Sequence, residues 1–204
     1  MLKKDFLKNT EELLQCTKCP GMKGKPVCGR VNDTKILHIG QAPGPHEEKF
    51  GKPFAYTAGK TLFQWLKQIN ISEEDYRNRV CMAAVCRCFP GKSKSGDRVP
   101  DAVEIANCSI YLKKELEYYR PELIIPVGKL AIAWILKKNN FLLDGVIGVK
   151  HKGQIDDFSF DWIALPHPSG LNAWNHSEKG KRLREQSLNL LKNHKTVIKT
   201  FYYC

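Results

Sequence analysis

The sequence has no apolar segment long enough to span a membrane, and its first residues, MLKKD, lack the apolar region of a signal peptide. The longest apolar run, residues 123–128, is followed by Lys129 before a second apolar run continues over 130–136. These two absences predict a cytoplasmic protein with no membrane contact. Its eight cysteines are then expected to be reduced thiols or metal ligands and not disulfides.

The sequence also lacks the glycine patterns that bind nucleotide phosphates, since neither GxGxxG nor GxxxxGK[ST] occurs. Acidic residues are scarce: 21 Asp and Glu stand against 33 Lys and Arg, which gives a formal net charge of +12. Such a charge favours a polyanionic partner, because Lys and Arg that contact phosphates release counterions. Nucleic acid is the natural candidate, and a generally basic protein without such a partner is the alternative.

What the sequence does contain is a series of short β-rich runs that end in loops rich in Gly, Pro, His or Cys. These runs cover residues 34–39, 79–86, 121–128 and 161–165. The segments between these runs have apolar residues at helical spacing. Residues 146–155 are expected to form a small hairpin. The alternation predicts a single domain over residues 1–204, a three-layer α/β/α sandwich with a central, mostly parallel four-stranded sheet. The loops should meet at one edge of that sheet.

One of these loops contains a histidine, His167, between Pro166 and Pro168 at the end of the fourth run. The two prolines restrict the backbone on both sides, so the imidazole is expected to be held in place at a strand end. Taken alone, the tripeptide HPS fits a catalytic or binding group, and it fits equally a satisfied histidine in a rigid turn.

A second feature is the CxxC sequence of Cys16 and Cys19, which follows a predicted helix over residues 2–15. This spacing allows two thiolates to bind one metal, and Cys28 lies near enough to be a further ligand. A redox pair and two unrelated thiols are the other interpretations.

The segments GQAPG at residues 40–44 and HPS at residues 167–169 resemble the two signature motifs of the uracil-DNA glycosylase superfamily. The iron–sulfur families numbered four and five are the most similar. Family four has a GEAPGEQED-like motif followed by G-x-P-F and A-G, which residues 40–48, 51–54 and 58–59 match in order. The family-five motifs GLAPAAH and HPSPLN resemble the segments that contain His46 and His167. The resemblance covers roughly residues 12 to 175.

The resemblance implies a structural [4Fe–4S] cluster that shapes a DNA-facing loop. Its four thiolate ligands would be Cys16, Cys19, Cys88 and Cys108. Cys86 competes with Cys88, but the local sequence Arg-Cys-x-Pro favours Cys88. A zinc ion on the same four thiolates, and buried free thiols, are the alternatives.

The resemblance also implies the residues of the substrate site, where a base that has left the duplex would bind. Phe54 would stack on the base, Leu171 would fill the space it vacates, and the backbone of residues 40–44 would approach the sugar. The full set of implied substrate-binding residues is Gly40, Ala42, Pro43, Gly44, Phe54, Ala84, Ser169, Leu171 and Asn172.

Two catalytic residues are implied. His167 would donate a hydrogen bond to uracil O2 as negative charge develops there, and Gln41 would orient the attacking water. Gln41 departs from family four, which has a carboxylate at this position, and an amide cannot take a proton from water. Ala84 departs from the asparagine that reads the uracil amide edge. Losing such a reader costs about 1–3 kcal/mol of discrimination, so a broader substrate range is expected.

Together these features predict a monomeric DNA glycosylase of base excision repair that hydrolyses the N-glycosidic bond of uracil, or of a related deaminated base, in DNA. The alternative is a catalytically silent iron–sulfur module that binds DNA or senses damage, which the missing carboxylate and Ala84 would explain. A protein that traps DNA covalently through a histidine is disfavoured, because the basic insertion expected ahead of HPS is missing.

Overall fold

The computed structural model describes residues 3–94, 96–170 and 172–203. Its strands are β1 (Ile36–Gly40), β2 (Cys81–Ala84), β3 (Lys92–Ser93), β4 (Gly96–Asp97), β5 (Leu123–Pro126), β6 (Lys150–Ile155) and β7 (Phe158–Ile163). Five of them form the central sheet in the order β2-β1-β5-β7-β6, and β3 pairs only with β4. Strands β2, β1, β5 and β7 are parallel, whereas β6 runs antiparallel to β7.

Helices cover both faces of this sheet. They are α1 (Lys3–Leu14), α2 (Glu47–Phe50), α3 (Thr57–Lys67), α4 (Glu73–Arg79), α5 (Ala102–Tyr119), α6 (Lys129–Leu136), α7 (Glu178–Lys192) and α8 (Lys195–Phe201), with 3₁₀ turns at Leu143–Gly145 and Ala173–His176. Alternate strand residues divide the core: Leu37 and Ile39 pack with α1, α5 and α6, while Ile36 packs with α3, α4, α7 and α8. The predicted three-layer sandwich is therefore confirmed. No helix in the described part of the chain could cross a membrane.

The prediction of four strands was wrong, because β6 adds a fifth at the edge of the sheet. The expected hairpin over residues 146–155 is in fact formed by β6 and β7, which pair from Lys150 with Ile163 to Ile155 with Phe158. Strand β6 consists mostly of polar residues at an edge, so apolar alternation is weak there. The connecting turn contains Asp156 with a positive φ of 50°.

The helix start expected at Asp101 was correct. The Asp101 carboxylate accepts a hydrogen bond from the backbone N–H of Glu104 at 2.9 Å, and Glu104 accepts one from the backbone N–H of Asp101 at 2.8 Å. This reciprocal capping box begins α5, the helix that contains Cys108.

Pairing of the parallel strands brings the loops at their carboxyl ends together. Gly40, the last residue of β1, lies beside Ala84, the last residue of β2. The chain after β7 stays in register with β5, since the backbone N–H of Gly128 donates to the carbonyl of Leu165 at 3.0 Å. His167 follows two residues later. The first motif loop, the end of β2 and the HPS loop therefore meet at one edge of the sheet.

Candidate active site

A cleft of about 630 Å³ opens at this edge of the sheet, within the usual size of small-molecule sites. Each implied substrate-site residue that the structure describes lies on its wall: Gly40, Gln41, Ala42, Pro43, Gly44, Phe54, Ala84, His167, Ser169 and Asn172. Leu171 lies outside the described residues. Segments more than a hundred residues apart in the sequence thus share one concave surface.

The loop that follows β7 holds His167 at the cleft. Its backbone carbonyl accepts hydrogen bonds from the side-chain amides of Asn172 at 3.2 Å and Asn175 at 2.8 Å. Gly128 lies directly behind the ring, and a Cβ added there would be 3.1 Å from the His167 Cβ. Any larger residue at 128 would also be strained, because its φ is +89°.

Burial lowers the pKa of His167 below its ordinary value, and the carboxylate of Asp97 opposes that change in part. The imidazole is accordingly neutral at pH 7, with one ring N–H available as a donor. A neutral donor in a partly desolvated cleft can stabilise negative charge that develops on a bound group.

The first motif loop is attached to the end of β2 by its backbone. The N–H of Val85 donates to the carbonyl of Gly40 at 2.9 Å, and the N–H of Cys86 donates to the carbonyl of Gln41 at 3.0 Å. These bonds hold the loop close to Ala84, which is buried on the cleft wall. Gln41 is half-buried, and its side-chain amide can both donate and accept at the cleft.

Three charged residues at this site, Glu47, Lys92 and Asp97, were missed by sequence reasoning. Glu47 is buried on the cleft wall and accepts a hydrogen bond from the backbone N–H of Gly44 at 3.1 Å. Lys92 and Asp97, from the β3–β4 hairpin, line the same cleft and form an ion pair at 2.6 Å. Glu47 lies inside the segment that resembles family four, which could have pointed to it. The hairpin residues had no sequence signal beyond a basic loop.

The four implied cluster cysteines border a separate cavity of about 220 Å³ next to the end of α1. They come from three parts of the chain, and the lining set includes Cys16, Cys19, Cys88 and Cys108. Cys86 is not among the lining residues. It is fully buried, and its hydrogen bond to Cys108 lowers the pKa of the Cys108 thiol.

Within the described residues, no three His, Cys, Asp or Glu side chains come together as a group that could hold one metal ion. The four cluster cysteines thus border one cavity but do not form such a group. Neighbouring polar groups approach two of these cysteines: the Asn107 side-chain amide lies 3.5 Å from Cys19 Sγ, and the backbone N–H of Arg87 donates to Cys108.

Known proteins of one superfamily are similar to this chain in sequence. A model of the uracil DNA glycosylase superfamily matches residues 28–192. The Type-4 uracil-DNA glycosylase of Saccharolobus solfataricus is 34% identical over 146 residues, which are 70% of this chain and 64% of that protein. This chain therefore spans less than two thirds of the Saccharolobus protein's length.

Two further relatives match over a larger share of their own length. The Type-4 uracil-DNA glycosylase of Archaeoglobus fulgidus is 32% identical over 169 residues, covering 78% of this chain and 79% of that protein. The Type-5 uracil-DNA glycosylase of Pyrobaculum aerophilum is 29% identical over 162 residues, covering 73% of this chain and 68% of that protein. The chain is thus similar to members of both families, four and five, that its motifs resemble.

Proposed function

The chain belongs to the uracil-DNA glycosylase superfamily, and from this premise we propose that it hydrolyses the N-glycosidic bond of uracil, or of a related deaminated base, in DNA. The release of such a base is the first step of base excision repair. The main support for the proposal is that Gln41, Phe54 and His167 line the same cleft.

The target base must leave the double helix before its glycosidic bond can be reached. The net charge of +12 favours binding of the phosphate backbone while the base rotates into the cleft. Phe54 provides an aromatic face on which a flat base can stack. The Gly40 backbone adjoins that ring, since a Cβ added at Gly40 would lie 3.0 Å from the Phe54 Cε2 atom.

Breaking the bond leaves positive charge on the sugar and negative charge on O2 and N1 of the base. The neutral His167 is proposed to donate a hydrogen bond to O2 as this charge appears. Water then attacks the sugar C1′, so its hydroxyl ends on the sugar and its proton ends on the departing base. Gln41 is proposed to orient that water by accepting a hydrogen bond from it.

We also propose that Cys16, Cys19, Cys88 and Cys108 bind a [4Fe–4S] cluster as thiolates. Each thiolate of such a cluster binds a different iron, so the four sulfurs need to surround a cavity and not meet at one point. The shared cavity of about 220 Å³ supports this arrangement. When bound, the cluster supplies a structural cross-link that joins the end of α1, the loop after β2 and helix α5.

Ala84 at the cleft wall provides no side-chain amide to read the base. Backbone groups of the 40–44 loop and the Gln41 side chain then remain to distinguish uracil from other bases. The proposed substrate class is accordingly deaminated bases in DNA, with uracil as a member and not necessarily the only one.

The test is to incubate oligonucleotides that contain uracil, hypoxanthine or xanthine with the protein, and then treat them with alkali. Cleavage at the modified position shows that the base was released. Intact strands bound by the protein would instead support a catalytically silent DNA-binding module, which Gln41 and Ala84 favour as the second candidate. A complex that resists boiling in detergent would support covalent trapping through a histidine.

A further inference from the structure

The backbone of Phe54 has an unusual conformation. Its φ of +52° lies in the left-handed region, which a bulky side chain rarely adopts. Such a conformation persists only where neighbouring groups hold it. In this protein two charged side chains hold it. One faces the N–H groups of the two peptide units that flank Phe54, and the other binds their carbonyl oxygens.

The first is Glu47, which is 8% exposed. Its carboxylate accepts a hydrogen bond from the backbone N–H of Gly44 at 3.1 Å, and the backbone N–H groups of Phe54 and Ala55 partly offset the rise in its pKa that burial causes. One buried carboxylate therefore connects the first motif loop to the Phe54 segment. Backbone N–H groups of this kind stabilise a carboxylate that is buried away from water.

The second is Arg77 of α4, whose side chain is 11% exposed. Its two terminal nitrogens donate to the carbonyl oxygens of Pro53 and Phe54, each at 2.8 Å. Its Nε donates to Glu73 at 2.8 Å, and the guanidinium carbon lies 4.6 Å from the centroid of the Phe63 ring. Contacts with Glu73 and Phe63 thus hold the guanidinium in the orientation in which it binds the two carbonyl oxygens.

The Phe54 ring has close neighbours as well. A Cβ added to Gly40 would lie 3.0 Å from its Cε2 atom, and the ring of the buried His38 meets it edge-on with centroids 4.9 Å apart. Gly59 passes so close that an added Cβ would be 1.8 Å from the Phe54 carbonyl oxygen. Both the backbone and the ring of Phe54 are therefore closely packed against neighbouring residues.

We propose that Glu47 and Arg77 are positioning residues that clamp the backbone of Phe54 and so hold its ring as a rigid stacking surface for the flipped base. This proposal rests on the proposed function. It assigns to Glu47 and Arg77 an effect on the affinity of the site for the flipped base. Without the Arg77 guanidinium, the carbonyl oxygens of Pro53 and Phe54 lose their donors. The backbone of Phe54 can then relax to a negative φ, which moves the ring away from the base.

The experiment is a double-mutant cycle with Arg77→Met and Phe54→Ala, measured as single-turnover release of uracil from DNA and as affinity for uracil-containing and abasic DNA. Arg77→Met is expected to slow release about tenfold and to weaken binding of uracil-containing DNA, with affinity for abasic DNA unchanged. In the Phe54→Ala background the same change is expected to slow release less than twofold, since no ring remains to be positioned.

Matched variants separate positioning from charge and folding. Arg77→Lys keeps the charge and one donor, so its release rate should lie between those of wild type and Arg77→Met. Arg79→Met removes a cation from the same helix, where Arg79 donates to the carbonyl of Thr200, and it should leave release unchanged. Glu47→Gln tests the clamp from its other side and keeps the proposal testable if Arg77→Met does not fold.

Effects of Arg77→Met that are equal in both backgrounds would overturn the clamp, as would an equal loss of affinity for uracil-containing and abasic DNA. A wild-type protein that releases no base from any strand would instead refute the proposed function. The cycle of affinities, which needs no turnover, would still decide the clamp in that case.

Discussion

The side-chain amide of Asn175 donates a hydrogen bond of 2.8 Å to the backbone carbonyl of His167, eight residues earlier in the chain. Asn172 donates to the same oxygen at 3.2 Å. Both amides follow the HPS segment, so the loop turns back and binds its own histidine. With a proline on either side of His167, this arrangement holds the imidazole at the cleft with no side-chain hydrogen bond to its ring among the described residues.

His167→Ala is expected to slow base release by about 10²–10³-fold, as does loss of a donor aimed at developing charge. Binding of uracil-containing DNA should survive, because the phosphate contacts remain. The measurement is single-turnover release together with a gel-shift affinity. His151→Ala, which removes an imidazole of β6 that is not on the cleft wall, serves as the control and should retain full activity. Equal rates for wild type and His167→Ala would remove this residue from the mechanism.

Ala84→Asn is expected to narrow the substrate range. The new amide would lie at the end of β2, beside Gly40, where it can pair with the uracil edge and leaves other bases mismatched. The ratio of release rates for uracil over hypoxanthine should rise about tenfold, in line with about 1–3 kcal/mol for one side-chain reader. Ala83→Ser on the same strand provides a control for changes in packing. An unchanged ratio would show that position 84 does not face the base.

Cys88→Ser is expected to abolish the broad visible absorbance of protein purified without oxygen, because a [4Fe–4S] cluster requires four thiolates. Cys28→Ser should retain that absorbance. Cys28 is equally half-buried, but it lies 4.0 Å from the Arg87 guanidinium and is not among the cysteines on the cavity wall. A colourless wild-type protein with one equivalent of zinc would contradict the cluster.

Stability is expected to depend on pH through His38, which is fully buried with Tyr76 as its hydrogen-bond partner at 3.0 Å. Burial lowers its pKa from 6.5 to about 3. The folded protein therefore binds fewer protons than the unfolded chain between these values. The contribution of neutral His38 is complete above pH 6.5 and is lost as the pH falls, at about 1.4 kcal/mol per pH unit.

The measurement is urea unfolding of wild type and His38→Gln between pH 7 and pH 4. The variant should lose stability less steeply than wild type over this range, by about 1.4 kcal/mol per pH unit. His46→Gln, at an exposed position, should follow the wild-type slope. Parallel curves for wild type and His38→Gln would refute the assignment to His38.

Local signals in the sequence were sufficient for much of the fold. The β-rich runs became β1, β2, β5 and β7, and Asp101 with Glu104 marked the start of α5, because capping and apolar periodicity involve residues only a few positions apart. Strand β6 was expected only within a small hairpin over residues 146–155 and not as a member of the sheet, since a polar edge strand is defined by its pairing with β7 and not by its own composition.

The sequence by itself determined which residues could do chemistry: the motif loops, His167, and the four cysteines of the resemblance. Only the tertiary structure placed Asp97 in the cleft and joined Glu47, Phe54 and Arg77, since the contact between Arg77 and Phe54 spans 23 residues. The physical reason is that a left-handed φ and two buried charges are tolerable only as a packed set, and no short window of sequence contains all the members of that set.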